Sequence, residues 1–477
     1  MTSSALAILA VYYLALALLA LYGAHRRTLV KLRRRHGADE RKPEGGEFRW
    51  PSLTVQLPLF NEPNVAARLL DAVSELSYPG VLDIQVLDDS TDETTAIIAA
   101  RIEALRAEGK RIHHLRRPHR EGYKAGALAL GLAASESELF AVFDADFVPP
   151  PHLLTAAVPR FADPAVGMVQ ARWDHLNRDE SMLTSVQATY LDGHFAVESA
   201  ARFLTGRFFN FNGTAGIWRR QAIEDAGGWS ASTLTEDLDL SYRAQLAGWR
   251  FVFLHDLPVP GELPCTLQGF QDQQFRWTKG SIQTARKVLP SLMRAKLPLS
   301  VKTEAFFHLT SNVAYPLTLL VALLMVPAIT IRQQLGLTWT LLFDAVLLAV
   351  STGSVLQFFM EGQRLVGRRR LSLAMLLSLL SVGVGMAVRN AAAVFEGLLT
   401  QAGHFERTPK RGDTTVRRER RPRFPISELL LTVFFSGAIG CFVAARQWLS
   451  IPFLLLFLGG FGYVSLLALR ERIAWAR

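Results

Sequence analysis

The stretch Leu139-Phe140-Ala141-Val142-Phe143-Asp144-Ala145-Asp146 decides the fold. Its apolar run is too short for a helix and predicts a strand, Leu139–Phe143, buried on both faces. The run stops on two carboxylates separated by one residue. A second stretch repeats the form: a predicted strand, Asp83–Leu87, ends in Asp88-Asp89-Ser90-Thr91-Asp92. Working outward, Leu53–Pro58 and Ile112–Leu115 read as further strands. Val65–Leu76, Asp92–Ala107 and Tyr123–Ala134 read as helices, the second capped by Ser90 or Thr91. Strand and helix in alternation predict an α/β domain with a mostly parallel sheet and helices on both faces. Ligands bind such sheets beyond the carboxyl ends of the strands, which is where both acidic clusters fall. No GxGxxG or GxxxxGK[ST] follows any of these strands, so the usual dinucleotide and P-loop fingerprints are absent.

The rest of the chain is of another kind. Of 477 residues, 50% are hydrophobic and 20% charged, with a net charge of +10. The apolar residues gather in runs at 4–24, 309–330, 338–360, 371–388, 427–445 and 447–469, near the roughly 20 residues a helix needs to cross a bilayer. An all-soluble protein is excluded. The basic excess lies beside those runs, in His25–Lys42, Arg364–Arg370 and Arg407–Arg423, as the positive-inside rule requires. These clusters lack the interleaved aromatics that stack on bases, so membrane lipid head groups are the expected polyanion and nucleic acid is not a partner. Two cysteines, Cys265 and Cys441, supply neither a disulfide framework nor a four-cysteine zinc site. His113, His114, His119 and His194 show no metal spacing.

The expected organisation is an uncleaved N-terminal span (1–24), a basic linker (25–47) and an α/β domain with interfacial helices toward its end (48–300). Membrane helices (301–396), a basic cytoplasmic loop (397–425) and two last spans (426–477) follow. A single crossing by 371–388 would put the basic loop outside, against its charge, so this short run is expected to be re-entrant or the span count to be wrong. Asp344, an acidic residue inside a span, is expected to face a polar interior such as a sugar channel or to sit at the interface.

Carboxylates one residue apart present oxygens to a hard cation, Mg2+ or Mn2+, which keeps sites free for substrate phosphates. Asp144 and Asp146 are the candidate metal ligands, and a nucleoside diphosphate the candidate ligand beside them. Asp92 reads as a helix cap or solvated turn.

With its neighbours this pattern resembles the membrane-integrated family 2 glycosyltransferases, the group of cellulose synthase, hyaluronan synthase and the cellulose-synthase-like mannan synthases. Pro58-Leu59-Phe60-Asn61-Glu62-Pro63 looks like the family's opening loop and Leu87-Asp88-Asp89-Ser90 like its nucleoside-holding aspartates. Gly122-Tyr123-Lys124-Ala125-Gly126-Ala127-Leu128 is similar to its lysine motif. Phe143-Asp144-Ala145-Asp146 resembles its metal-binding DxD, and Phe211-Asn212-Gly213-Thr214-Ala215-Gly216 its acceptor-side loop. Thr235-Glu236-Asp237 looks like the motif of the base, and Gln273-Gln274-Phe275-Arg276-Trp277 like QxxRW. Phe405-Glu406-Arg407-Thr408-Pro409-Lys410 resembles the FxVTxK lid, with Arg407 in place of valine.

The resemblance implies an inverting β-glycosyltransferase that elongates a polysaccharide from a UDP-glucose or GDP-mannose type donor, with its span bundle carrying the product outward. Inversion needs one base on the acceptor side. Asp237, with Glu236, precedes the helical run Leu238–Ala247, whose amides can orient a carboxylate. Asp88, Asp89, Lys124 and Arg276 are implied for the donor nucleotide. Gln273, Trp277 and Glu236 are implied for the acceptor, and Phe405, Thr408 and Lys410 for the lid. Transfer of one sugar to a lipid such as diacylglycerol or ceramide is the alternative within the same chemistry, and a non-catalytic scaffold or exporter the alternative outside it. The expected location is a bacterial inner (plasma) membrane with the α/β domain in the cytoplasm.

Overall fold

A computed structural model describes residues 3–37, 48–368, 370–400 and 421–476. Seven strands form one sheet: β1 (Leu53–Leu59), β2 (Leu82–Asp88), β3 (Ile112–Arg116), β4 (Leu139–Val142), β5 (Val166–His175), β6 (Gly216–Arg219) and β7 (Arg250–Gly261). Their order is β3-β2-β1-β4-β6-β5-β7. Leu53–Leu59 pairs with Leu82–Asp88 in parallel and in unbroken register, and Leu139 lies opposite Leu53 on the other side. β6 alone runs against its neighbours, β4 and β5. The sheet is therefore mostly parallel, and the carboxyl ends of β1, β2, β4 and β5 share one rim.

Burial explains the sequence of the central strands. Leu53, Val55, Leu57 and Leu59 face one apolar layer with Leu69, Leu70, Ile98 and Ile102 from the helices Ala66–Ser74 and Thr94–Ala107. On the other face Leu128, Phe211, Trp218 and Leu240 form a second layer. Between these layers Gln56 Nε2 donates to Gln85 Oε1 at 3.1 Å, linking two buried amides of adjacent strands. The expected caps Ser90 and Thr91 do not cap. The helix begins at Thr94, whose amide donates to Asp92 Oδ1 at 3.0 Å.

Among the described residues five helices are long and apolar enough to cross a membrane: Ser3–His36, Leu299–Gln334, Thr338–Leu365, Ile426–Ala444 and Trp448–Ala476. The run expected at 371–388 is instead a pair, Leu373–Gly385 and Ala387–Leu399, bent by 42°. Both halves touch the α/β domain. Tyr190 Oη donates to the Leu379 carbonyl at 2.6 Å, Lys279 pairs with Glu396 at 3.0 Å, and Arg286 Nη1 donates to the Gly397 carbonyl at 3.1 Å. The middle enters the bundle, where Gly385 and Gly460 let the backbones meet; an added Cβ on Gly460 would lie 3.3 Å from the Gly385 amide nitrogen.

Asp344 lies buried in that bundle and accepts from Tyr12 Oη at 2.9 Å and from Arg332 Nη1 at 2.8 and 2.9 Å. Its polar interior is a three-helix clamp. Two charges in a medium that cannot solvate them persist only when each is paired.

Candidate active site

The rim holds one cleft. β2 delivers Asp89 to it, β4 delivers Asp144 and Asp146, and the helix Tyr123–Ala133 delivers Lys124 from its first turn. Glu236 and Asp237 enter from the start of the helix Glu236–Leu246. Gln273, Arg276 and Trp277 enter from the helix Leu267–Arg294. Positions i, i+3 and i+4 share one helical face, which is why the QxxRW spacing aims all three at the same space.

The two acidic clusters do different work. Asp89 accepts from Arg117 Nε at 2.9 Å and Nη2 at 2.5 Å at the cleft wall. Asp88 sits one residue before Asp89 and is not among the residues that line the cleft. Its buried carboxylate accepts from the Ser90 amide at 2.8 Å and meets His114 Nε2 at 3.0 Å. Burial alone would raise its pKa, but these hydrogen bonds outweigh burial and lower it. Asp88 thus shapes the turn that presents Asp89.

Lys124 Nζ donates to Asp144 Oδ1 at 2.5 Å and to the Gly213 carbonyl at 2.9 Å. Burial opposes its charge, and Asp144 and then Glu236 more than offset that, raising its pKa. The Asp144 amide donates to Thr214 Oγ1 at 2.9 Å, tying the DxD turn to the loop that carries Gly213. Asp144 and Asp146 form an oxygen-only donor pair on an open cleft, which fits a hard divalent cation. An ion held by two carboxylates would keep coordination sites free for donor phosphates and water.

Asp237 is the group whose protonation is most perturbed toward use. Burial first, and the Glu236 charge second, push its pKa up to about 7, against the pull of Lys124. Its Oδ1 accepts from the Leu238 amide at 2.7 Å, so a first-turn backbone donor orients it. Burial also raises Glu236 and lowers Arg276.

The cleft includes residues the sequence reading passed over. Trp173 and Asp174, at the end of β5, line it, with the Trp173 ring 6.4 Å from Trp277. The signal was available, since they end a strand on the same rim, but β5 had not been read as a strand. Gly213 has φ +80, and a Cβ there would meet Asp237 Oδ2 at 3.0 Å. The lid residues Phe405, Thr408 and Lys410 lie outside the described residues.

A mixed sheet whose parallel strands end on one rim bearing a DxD, a lysine and a carboxylate near neutrality is a GT-A-like glycosyltransferase domain. Residues 51–280 match the family described as glycosyltransferase like family 2. The chain is 44% identical over 259 residues to glucomannan 4-beta-mannosyltransferase 2 of Arabidopsis thaliana, covering 53% of this chain and 48% of that one. It is 42% identical over 266 residues to probable glucomannan 4-beta-mannosyltransferase 7 of Oryza sativa subsp. japonica, covering 54% and 45%. The chain thus spans about half the length of the curated relatives it matches. In fold it resembles the mannosyltransferase PcManGT from Pyrobaculum calidifontis, solved with GDP-Man and Mn2+, at a TM-score of 0.56 and 20% identity over 82% of this chain and 99% of that one. Over residues 51–280 the chain is thus similar to the family 2 glycosyltransferases, and the curated relatives it resembles there are glucomannan mannosyltransferases by name.

Proposed function

We propose that this chain is a processive, inverting β-mannosyltransferase that elongates a polysaccharide at a membrane from a GDP-mannose type donor. The observation that carries the reaction is the convergence of Asp237, near neutrality, with Lys124, Arg276 and the DxD pair in one cleft. The names of the relatives favour mannose over glucose as the transferred sugar.

Asp144 and Asp146 would hold a divalent cation, which when bound neutralises charge on the departing diphosphate. Lys124 and Arg276 add fixed positive charge on the same side. Asp237 takes the proton of the acceptor hydroxyl as it attacks from the opposite face. A carboxylate near pKa 7 is a stronger base than an exposed one and is still about half ionised at neutral pH. Trp277, with Trp173 close by, offers a flat apolar wall for the C–H face of the acceptor sugar.

The bent helix pair 373–399 touches the α/β domain with both halves, which supports the reading of a re-entrant element. The charge pattern puts the domain's side in the cytoplasm, of a plasma membrane in the bacterial case. Membranes containing the chain, given Mn2+ or Mg2+ and a panel of labelled nucleotide sugars, are expected to transfer mannose into a product of polymer size. A single-sugar lipid product would refute processivity, and full activity of Asp237→Asn would refute the base.

A further inference from the structure

One helical segment beneath the cleft is irregular. The helix Met182–Gly193 passes through a π turn, His194–Ser199, into Ala200–Leu204. π turns widen the ladder by one residue, and they recur near functional sites. Here the turn aims two neighbouring side chains at the acceptor side. Phe195, fully buried, packs 5.2 Å from Trp173. His194 meets Asn212 Oδ1 through Nε2 at 2.9 Å and Glu198 Oε2 through Nδ1 at 3.0 Å.

The direction of the Asn212 amide is fixed by its other partners. Its Nδ2 donates to the Asn210 carbonyl at 3.3 Å, and its Oδ1 accepts from Asn210 Nδ2 at 3.1 Å. The oxygen therefore faces His194, and a carboxylate faces the other ring nitrogen. Both neighbours of the imidazole are acceptors, so the ring serves as a donor between them. The residue after Asn212 is Gly213, where an added Cβ would stand 3.0 Å from Asp237 Oδ2 and whose carbonyl accepts from Lys124. The loop is joined to the helix of Asp237 through Ser241: the Phe211 amide donates to Ser241 Oγ at 2.9 Å, and that hydroxyl donates to the Asp237 carbonyl at 2.6 Å.

Glu198 is itself held. Burial works to raise its pKa, but the His194 hydrogen bond and the charges of Arg202 and Arg26 outweigh burial, holding it well below the usual carboxylate range. Arg33 Nε of the N-terminal helix donates to the Ala196 carbonyl inside the π turn at 3.2 Å. The segment that supports the acceptor loop is thus anchored to the first membrane helix.

We propose that His194, braced by Glu198, is a positioning residue of the transfer step: through Asn212 it fixes the acceptor loop against Asp237 and Lys124. This rests on the glycosyltransferase reading above. It makes no claim that His194 touches substrate.

The test uses the full chain in detergent, with GDP-mannose or the donor the panel selects, and manno-oligosaccharide acceptors. His194→Ala and Asn212→Ala are compared singly and together. Each is expected to lower kcat about 100-fold, the scale of a misplaced reacting group, with donor KM within about twofold of wild type. The double variant is expected to lose no more than the worse single variant, because both substitutions break one link. Losses that multiply, or a rise in donor KM with kcat intact, would overturn the proposal. If His194→Ala does not accumulate, His194→Leu, which keeps bulk but offers no donor to Asn212, takes its place in the same cycle. A wild-type chain inactive with every donor refutes the transferase reading itself, which is a different result from an active wild type with multiplying losses.

Discussion

Gly280 offers a test in which two effects of opposite sign compete. It lies in the helix Leu267–Arg294, three residues beyond Trp277, where that helix crosses the start of the Asp237 segment. Alanine in place of glycine inside a helix ordinarily stabilises by about 1 kcal/mol. At this position the added methyl would stand 2.6 Å from Thr235 Cγ2, 2.8 Å from its Oγ1 and 2.9 Å from its backbone nitrogen. Favourable contacts begin near 3.5 Å, so the two elements must separate by about 0.6–0.9 Å. Overpacking of this kind costs about 1–3 kcal/mol and exceeds the helix gain over most of that range. Thr235 immediately precedes Glu236 and Asp237, so the shift passes to the base, and a displacement approaching 1 Å costs about 10- to 100-fold in rate. Gly280→Ala is therefore expected to melt lower and to transfer sugar at least about tenfold more slowly, with donor affinity little changed. Gly353→Ala is the control, since nothing lies within 4 Å of its added methyl. If Gly280→Ala melts higher and works at the wild-type rate, the contact between the QxxRW helix and the Thr235-Glu236-Asp237 segment is not what positions the base.

Because burial and the Glu236 charge raise Asp237 to about 7 and the base must be ionised, kcat/KM should climb as pH rises through 7 and level off above it. At about pH 6 roughly a tenth of the plateau should remain, and a profile flat from about pH 5.5 to 8 would contradict the assignment. Glu236→Gln removes the second cause of the shift, so the midpoint should move to lower pH. Excess chelator should abolish transfer, and added Mn2+ or Mg2+ should restore it; activity unaffected by chelator would remove the metal role from Asp144 and Asp146. Arg332→Met leaves Asp344 buried without its cation and should cost about 3–5 kcal/mol, read as a sharp loss of thermal stability in detergent. Arg332→Met combined with Asp344→Leu should recover much of it, and no recovery would mean the pair is held for another reason.

The chain order of strands and helices in the α/β domain was legible because each strand there is a short apolar run ending in charge. Lys124, Asp144, Asp146, Asp237, Arg276 and Trp277 were legible as types at fixed local spacings, which sequence records directly. That Asp88 is held by Ser90 and His114 while Asp89 lines the cleft was not legible, because adjacency in sequence does not say which partners a carboxylate meets. Trp173 and Asp174 were missed because β5 was not recognised, and its residues reach the cleft only once it lies between β6 and β7. Gly280, Gly213 and His194 matter through contacts across 45, 24 and 18 residues of sequence respectively, and no local pattern announces them.

Membrane helices show the same division. Hydrophobicity is a local property, so the apolar runs could be counted along the chain. The bend in 373–399, its attachment to the domain, and the pairing of Asp344 with Arg332 depend on which surfaces meet. The sequence alone thus determined the chemistry available and the membrane context. The tertiary structure decided which carboxylate is driven toward neutrality, because that follows from burial and from the charges brought beside it, and both are properties of packing in three dimensions.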